Sequence, residues 1–266
     1  MCNFYLINTK LALTGILFAC FISPAYSDKT KLKIEVLTEQ YYPLNYTESG
    51  KDDDPIIGFS TELVKAVMNE SGFNYDIKLV PWARAVRAID TRENVIVYSM
   101  ARSPDREDKY HWIGEIWPGT IVLYGLKEKF TPIPKSIDEI KHLRVGISIN
   151  SVAGNYLQVN GFTQLYSVKS TNYLKLLQRG RIDLFPFIDF SMVLIADREG
   201  YDRDKIVAVL KMSEISMPLS IAASKQTKPE IVSRLRKAYK NTIDSGTYDK
   251  IMLPFKHQLA TKVYNQ

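Results

Sequence analysis

Beyond residue 27 this sequence has no cysteine: its two, Cys2 and Cys20, both fall in the first 27 positions. That absence excludes a disulfide framework, thiolate metal sites and cysteine nucleophiles from the rest of the chain, which must rely on an ordinary core. Histidine is almost as scarce. His111, His142 and His257 are scattered and show no metal-ligand spacing. Neither a Gly-x-Ser-x-Gly elbow nor a phosphate-binding loop occurs, so no metal and no cofactor is expected. The formal net charge is +6, yet no run of five or six basic residues exists and the signs alternate along the chain. This reads as a solvated surface and argues against nucleic acid as a partner. With 45% hydrophobic residues and no low-complexity stretch, the chain is not disordered.

The first 27 residues read as an export signal. Lys10 precedes an apolar run from Leu11 to Ile22, and Ala25-Tyr26-Ser27 follows. The run is shorter than the roughly 20 residues a membrane-spanning helix needs, and cleavage is expected after Ser27. Secretion to a periplasm or a cell surface follows. Leu17-Phe18-Ala19-Cys20 is the alternative, a lipoprotein cleavage box, in which Phe18 is bulky.

The remainder alternates strands and helices. Leu32 to Leu37 alternates as a strand. Phe59, Leu63, Ala66 and Val67 recur at helical spacing, with Ser60 as N-cap and Gly72 at the end. Residues 75–80 read as a strand, 82–89 as a short helix and 95–98 as a strand, which implies parallel strands joined by crossover helices. The same order restarts with a helix from Ser136, a strand at 143–147, a helix at 151–157, a strand at 165–168, a helix at 172–178 and a strand at 182–185. Residues 119–127 and 217–224 read as strands linking the two units, and a last helix runs from Pro229 to about Ser245. The expected domains are the signal at 1–27, one lobe of 28–122 plus 218–266, and a second lobe of 123–217. A two-segment hinge leaves a cleft, where small-molecule sites concentrate.

Several segments carry a family resemblance. They are Tyr41-Tyr42-Pro43-Leu44, Ile57-Gly58-Phe59-Ser60-Thr61-Glu62-Leu63, Pro81-Trp82-Ala83-Arg84-Ala85 and Ser103-Pro104-Asp105-Arg106-Glu107, then Leu143-Arg144-Val145-Gly146-Ile147 and Gly180-Arg181-Ile182-Asp183. In this order the chain resembles the bacterial extracellular solute-binding proteins, family 3, the polar amino acid class. The resemblance implies an α/β, two-lobed fold of the type II periplasmic-binding-protein kind. It implies a monomer that binds an amino acid or related carboxylate, is no enzyme, and delivers its ligand to an ABC permease. A sensor partnered with a membrane receptor, or an enzyme on the same scaffold, are the alternatives.

Ser103-Pro104-Asp105-Arg106 reads as a helix start that would favour an anion, with the Arg106 guanidinium adding a two-donor fork. The resemblance places the carboxylate-binding arginine at Arg106 and the stacking tyrosine at Tyr41. Trp82 would supply a second aromatic wall. Tyr98 and Ser99 end a strand at the carboxyl edge of the sheet. Asn150 and Ser151 precede a helix and would cap it or donate to the ligand. The resemblance also implies an acid for the ligand's ammonium group, here Asp189, at a spacing one residue longer than usual. Glu39, the nearest acid for any enzymatic alternative, reads as an exposed loop carboxylate.

Overall fold

The computed structural model describes Met1 and residues 32–49, 54–169 and 172–263, with side chains as far as His257. The expected export signal, with Cys2 and Cys20, falls on residues outside those described. Five strands form the first sheet: β1 (Lys33–Thr38), β2 (Asn74–Leu79), β3 (Val95–Ala101), β4 (Tyr110–Trp117) and β10 (Leu219–Ser224). Their spatial order is β2-β1-β3-β10-β4. The first three are parallel, as the crossover helices α1 (Phe59–Ser71) and α2 (Trp82–Thr91) require. β10 enters antiparallel between β3 and β4, so the sheet is mixed.

The second sheet is built from β5 (Ile121–Leu126), β6 (Val145–Ile147), β7 (Leu165–Ser167), β8 (Leu184–Ile188) and β9 (Ile206–Lys211), in the order β7-β6-β8-β5-β9. Around it lie α3 (Val152–Val159), α4 (Tyr173–Gln178) and α5 (Asp189–Arg198). The fold is α/β and two-lobed, with two mixed sheets joined by two short crossings, residues 118–120 and 216–218. The crossings touch: a Cβ at Gly119 would stand 2.6 Å from the Met217 carbonyl oxygen, so a larger residue would force them apart.

Helix α6 (Pro229–Asp244) packs on α1 and β4, returning the chain to the first sheet. A further helix that the periodicity did not suggest, α7 (Thr247–Val263), follows and touches α1, α6 and α5. Pro254 inside it reads as a helix breaker, which hid it. Phe255 on α7 stacks on Phe59 at 4.2 Å and meets Phe190 of α5 edge-on at 5.2 Å, joining both lobes in one aromatic cluster.

Two caps differ from the sequence reading. Gly58, at φ 113°, is the N-cap of α1 and Ser60 is its second helical residue. The Leu44 carbonyl accepts from the Ser60 and Thr61 amides, so a loop carbonyl replaces the side-chain cap. A Cβ on Gly58 would fall 2.4 Å from that same oxygen. At Ser103 no long helix forms, only a single 3-10 turn over Pro104–Arg106. Ser103 Oγ bonds the Asp105 carboxylate at 2.6 Å instead of a backbone amide, so the expected helix-terminus anion site is not built.

Candidate functional site

A cavity of about 100 Å³ lies between the two sheets, at the carboxyl ends of β1 and β3 and beside the crossings. The first lobe contributes Glu39, Tyr41, Trp82, Ser99 and Arg106, and the second contributes Ser148, Ser151, Tyr173 and Phe187.

Arg106 is only 5% exposed although charged. Its Nη1 donates to the Ala101 carbonyl at 3.3 Å and its Nη2 to the Asn150 carbonyl at 2.7 Å. The guanidinium carbon lies 5.8 Å from the centre of the Trp82 ring. Burial lowers its pKa, but an arginine stays protonated at any physiological pH. Two bonds leave part of its five-donor fork for an anion.

Trp82 opens α2, and its indole N–H reaches the same Asn150 oxygen at 3.2 Å. It serves both the core and the wall, packing with Leu37 and Val97 while lining the cavity. Asn150 sits at φ 61°, a left-handed conformation asparagine tolerates. Its carbonyl is thereby shared by two donors of the other lobe, and its exposed side chain does not line the cavity. Ser151 does line it, while its Oγ caps α3 by accepting from the Gly154 amide at 3.0 Å.

Tyr41 stands edge-on to Phe187 of the second lobe, with ring centres 4.7 Å apart. Burial, then the nearby Glu39, pushes its hydroxyl pKa well above the ordinary tyrosine range. Ser99 Oγ donates to Asn45 Oδ1 at 2.6 Å, and the Asn45 amide donates to the Glu39 carbonyl. This chain fixes the turn that carries Glu39 and Tyr41.

Two more expected residues lie elsewhere. Tyr98 is fully buried on the opposite face of β3, its hydroxyl 2.9 Å from Thr61 Oγ1 of α1. Tyr98 packs with Ile96 in the core beneath α1, whereas Ser99, at φ 57°, interrupts the regular alternation of β3 and lines the cavity. Asp189 is exposed at the first position of α5, where its carboxylate accepts from the Phe190 amide at 2.7 Å. Because β8 continues to Ile188, its residues Pro186 to Ile188 line the cavity and Asp189 turns away with the helix.

The acid that does line the cavity is Glu39, which the sequence reading took for an exposed loop carboxylate and which is half-buried. It follows β1 directly, and no described side chain bonds its carboxyl. Burial pushes that carboxyl up to about 8 from the ordinary 4.5. Its signal in the sequence is its place at the carboxyl end of a central parallel strand, where open α/β sheets bind ligands. Tyr173 and Ser148, also unforeseen, face the same space, with their hydroxyl oxygens 3.4 Å apart. Tyr173 stacks on Phe185 at 5.0 Å, which orients its ring.

The Gly-Arg-Ile-Asp motif is structural. Asp183 is 6% exposed and accepts from the Arg144 backbone amide, Nε and Nη2, and from Lys129. Burial alone would raise its pKa, but these donors outweigh it and hold the carboxyl well below the usual aspartate range. The clamp ties the starts of β6 and β8 together.

The profile of the bacterial extracellular solute-binding proteins, family 3, matches residues 34–257. The chain belongs to this family. Among relatives of the family-3 protein, the L-cystine-binding protein TcyA of Bacillus subtilis is 24% identical over 85% of this chain and 81% of its own length. The arginine-binding extracellular protein ArtP of the same organism is 20% identical over 94% of this chain and 96% of its own. Both are named for binding, not for turnover. An ancestral arginine-binding protein bound to arginine superposes with a TM-score of 0.71 at 19% identity, over 84% of this chain and 97% of that one. A histidine kinase sensor domain similar to periplasmic binding proteins superposes with a TM-score of 0.72 at 16% identity, over 84% and 95%. At these identities the structures share the fold. Among the described residues, no group of His, Cys, Asp and Glu could hold a metal ion, and no helix is long and apolar enough to cross a membrane.

Proposed function

We propose that this family-3 protein is exported, closes its lobes on an amino acid, and presents the closed form to an ABC importer. The observation that carries this reading is that one buried base, Arg106, and one half-buried acid, Glu39, line the same aromatic-walled cavity. The free donors of the Arg106 fork would take the ligand's carboxylate by charge-assisted hydrogen bonds. Glu39 would accept from the ammonium group, the role the resemblance had assigned to Asp189. Tyr41 and Trp82 would cover the apolar part and exclude water. The names of the relatives that bind cystine and arginine support the ligand class.

In this reading residues 28–122 with 218–266 form one lobe and 123–217 the other, and the protein acts as a monomer without catalysing a reaction. The kinase sensor domain among the structural neighbours favours a second reading, in which a membrane receptor senses the closed form. A thermal-shift screen of the protein starting at Asp28 against amino acids and their deaminated analogues tests the proposal. A ligand that binds only the native state raises the melting temperature. Stabilisation by amino acids supports the reading; stabilisation by none, or steady conversion of the ligand, overturns it.

A further inference from the structure

We infer that the cavity selects amino acids of zero net charge and rejects arginine, lysine and the acidic amino acids. The inference rests on the amino acid reading and adds the class of side chain accepted.

Charge matching is the first argument. Among the described residues Arg106 is the only base and Glu39 the only acid lining the cavity. An α-amino acid uses both, its carboxylate on Arg106 and its ammonium on Glu39, and no formal charge remains for a side chain. A guanidinium or second ammonium would need another acid. Two acids flanking β8 are committed elsewhere: Asp189 to its own helix amide, and Asp183 to Arg144 and Lys129. A charged side chain would therefore enter the cavity without an opposite charge, which is unfavourable once closing lobes exclude water.

The walls give the second argument. What faces the remaining space is the rings of Tyr41, Tyr173 and Phe187 with the hydroxyls of Ser148 and Ser151. These suit an apolar or hydroxylated side chain.

The test is calorimetric titration of the protein from Asp28, and of Glu39→Gln, at neutral pH. Ligands are alanine, serine, glutamine and leucine against arginine, lysine and glutamate. The tightest neutral amino acid is also compared with the 2-hydroxy acid of the same side chain. The expected result is a neutral amino acid bound at least about 100-fold tighter than any charged one, a difference of about 2.7 kcal/mol. Its advantage over the hydroxy acid should disappear in Glu39→Gln, because that advantage is the ammonium–carboxylate pair. Arginine or lysine binding as tightly as every neutral ligand would overturn charge selection and leave the amino acid reading standing. A preference for the ammonium group that survives in Glu39→Gln would also overturn it. No binding of any amino acid would overturn both.

Discussion

The Arg106 guanidinium and the Asn150 carbonyl meet at 2.7 Å, a first-lobe side chain donating to second-lobe backbone beside the cavity. The residue proposed to take the ligand's carboxylate is therefore also a fastener between the lobes. Arg106→Ala is expected to weaken amino acid binding by on the order of 2–5 kcal/mol, because the anion stays desolvated without its partner. Arg106→Lys should lose much of this as well, since a point charge cannot reproduce the planar fork. Calorimetry of the three proteins measures the difference, and equal affinities would remove Arg106 from the site.

Glu39 makes both stability and binding depend on pH. Its folded-state pKa, about 8, exceeds the ordinary 4.5, so the unliganded protein retains a proton that the unfolded chain releases. That contribution to stability is complete below about pH 4.5 and is lost as pH rises towards 8, at no more than about 1.4 kcal/mol per pH unit. Melting temperatures of wild type and Glu39→Gln should diverge over this window. Tyr41 and Tyr173 are the titratable groups that feel this carboxyl, and both are pushed to higher pKa, so they stay neutral throughout. Binding an ammonium group ionises Glu39 and releases a proton. Affinity should therefore climb by up to about tenfold per pH unit until pH 8 and then level off. Titrations in buffers of different ionisation enthalpy count the proton.

Asp183 gives the opposite dependence. Its depressed pKa means its stabilisation is present above the ordinary aspartate range and is lost as pH falls through the native value. Asp183→Asn is expected to cost about 2 kcal/mol at neutral pH. This is less than a fully enclosed ion pair costs, because Arg144 and Lys129 keep contact with water. Denaturant unfolding at pH 7 and in mild acid should show the variant's deficit shrinking in acid.

Arg198 of α5 reaches across to the first lobe. Its Nη2 donates to the Glu48 carboxylate at 2.8 Å, and its guanidinium lies 4.6 Å from the Tyr42 ring centre and 4.9 Å from that of Tyr46. The contact is partly exposed, so Arg198→Ala should weaken ligand binding by only about 0.5–1 kcal/mol. The loss should be smaller at high salt, where the ion pair is screened but the ring contact remains. Small-angle scattering would show a larger share of open molecules in the variant.

Where physical signals are local, the sequence was enough. The alternation of β1, the continuous apolar run of β3, the helical spacing of α1, and the repetition of strand and helix after residue 136 reported two α/β units joined twice, because each element must bury its apolar surface. Arg106, Tyr41 and Trp82 were found because each lies in a segment that carries the family resemblance, with the helix-start pattern and the guanidinium fork adding to the case for Arg106. Only tertiary structure decided which residues share the cavity. Tyr98 and Ser99 are neighbours in the chain, and the packing of α1 on one face of the sheet determined which of them the cavity received. Asp189 and Glu39 both followed strands. The length of β8 and the turn into α5 sent the first into solvent. The second shares its cavity with Tyr173 and Phe187, which come from the other lobe and lie more than a hundred residues away in sequence. Burial and pKa depend on everything within a few ångströms, and a one-dimensional pattern carries no record of what arrives from that distance.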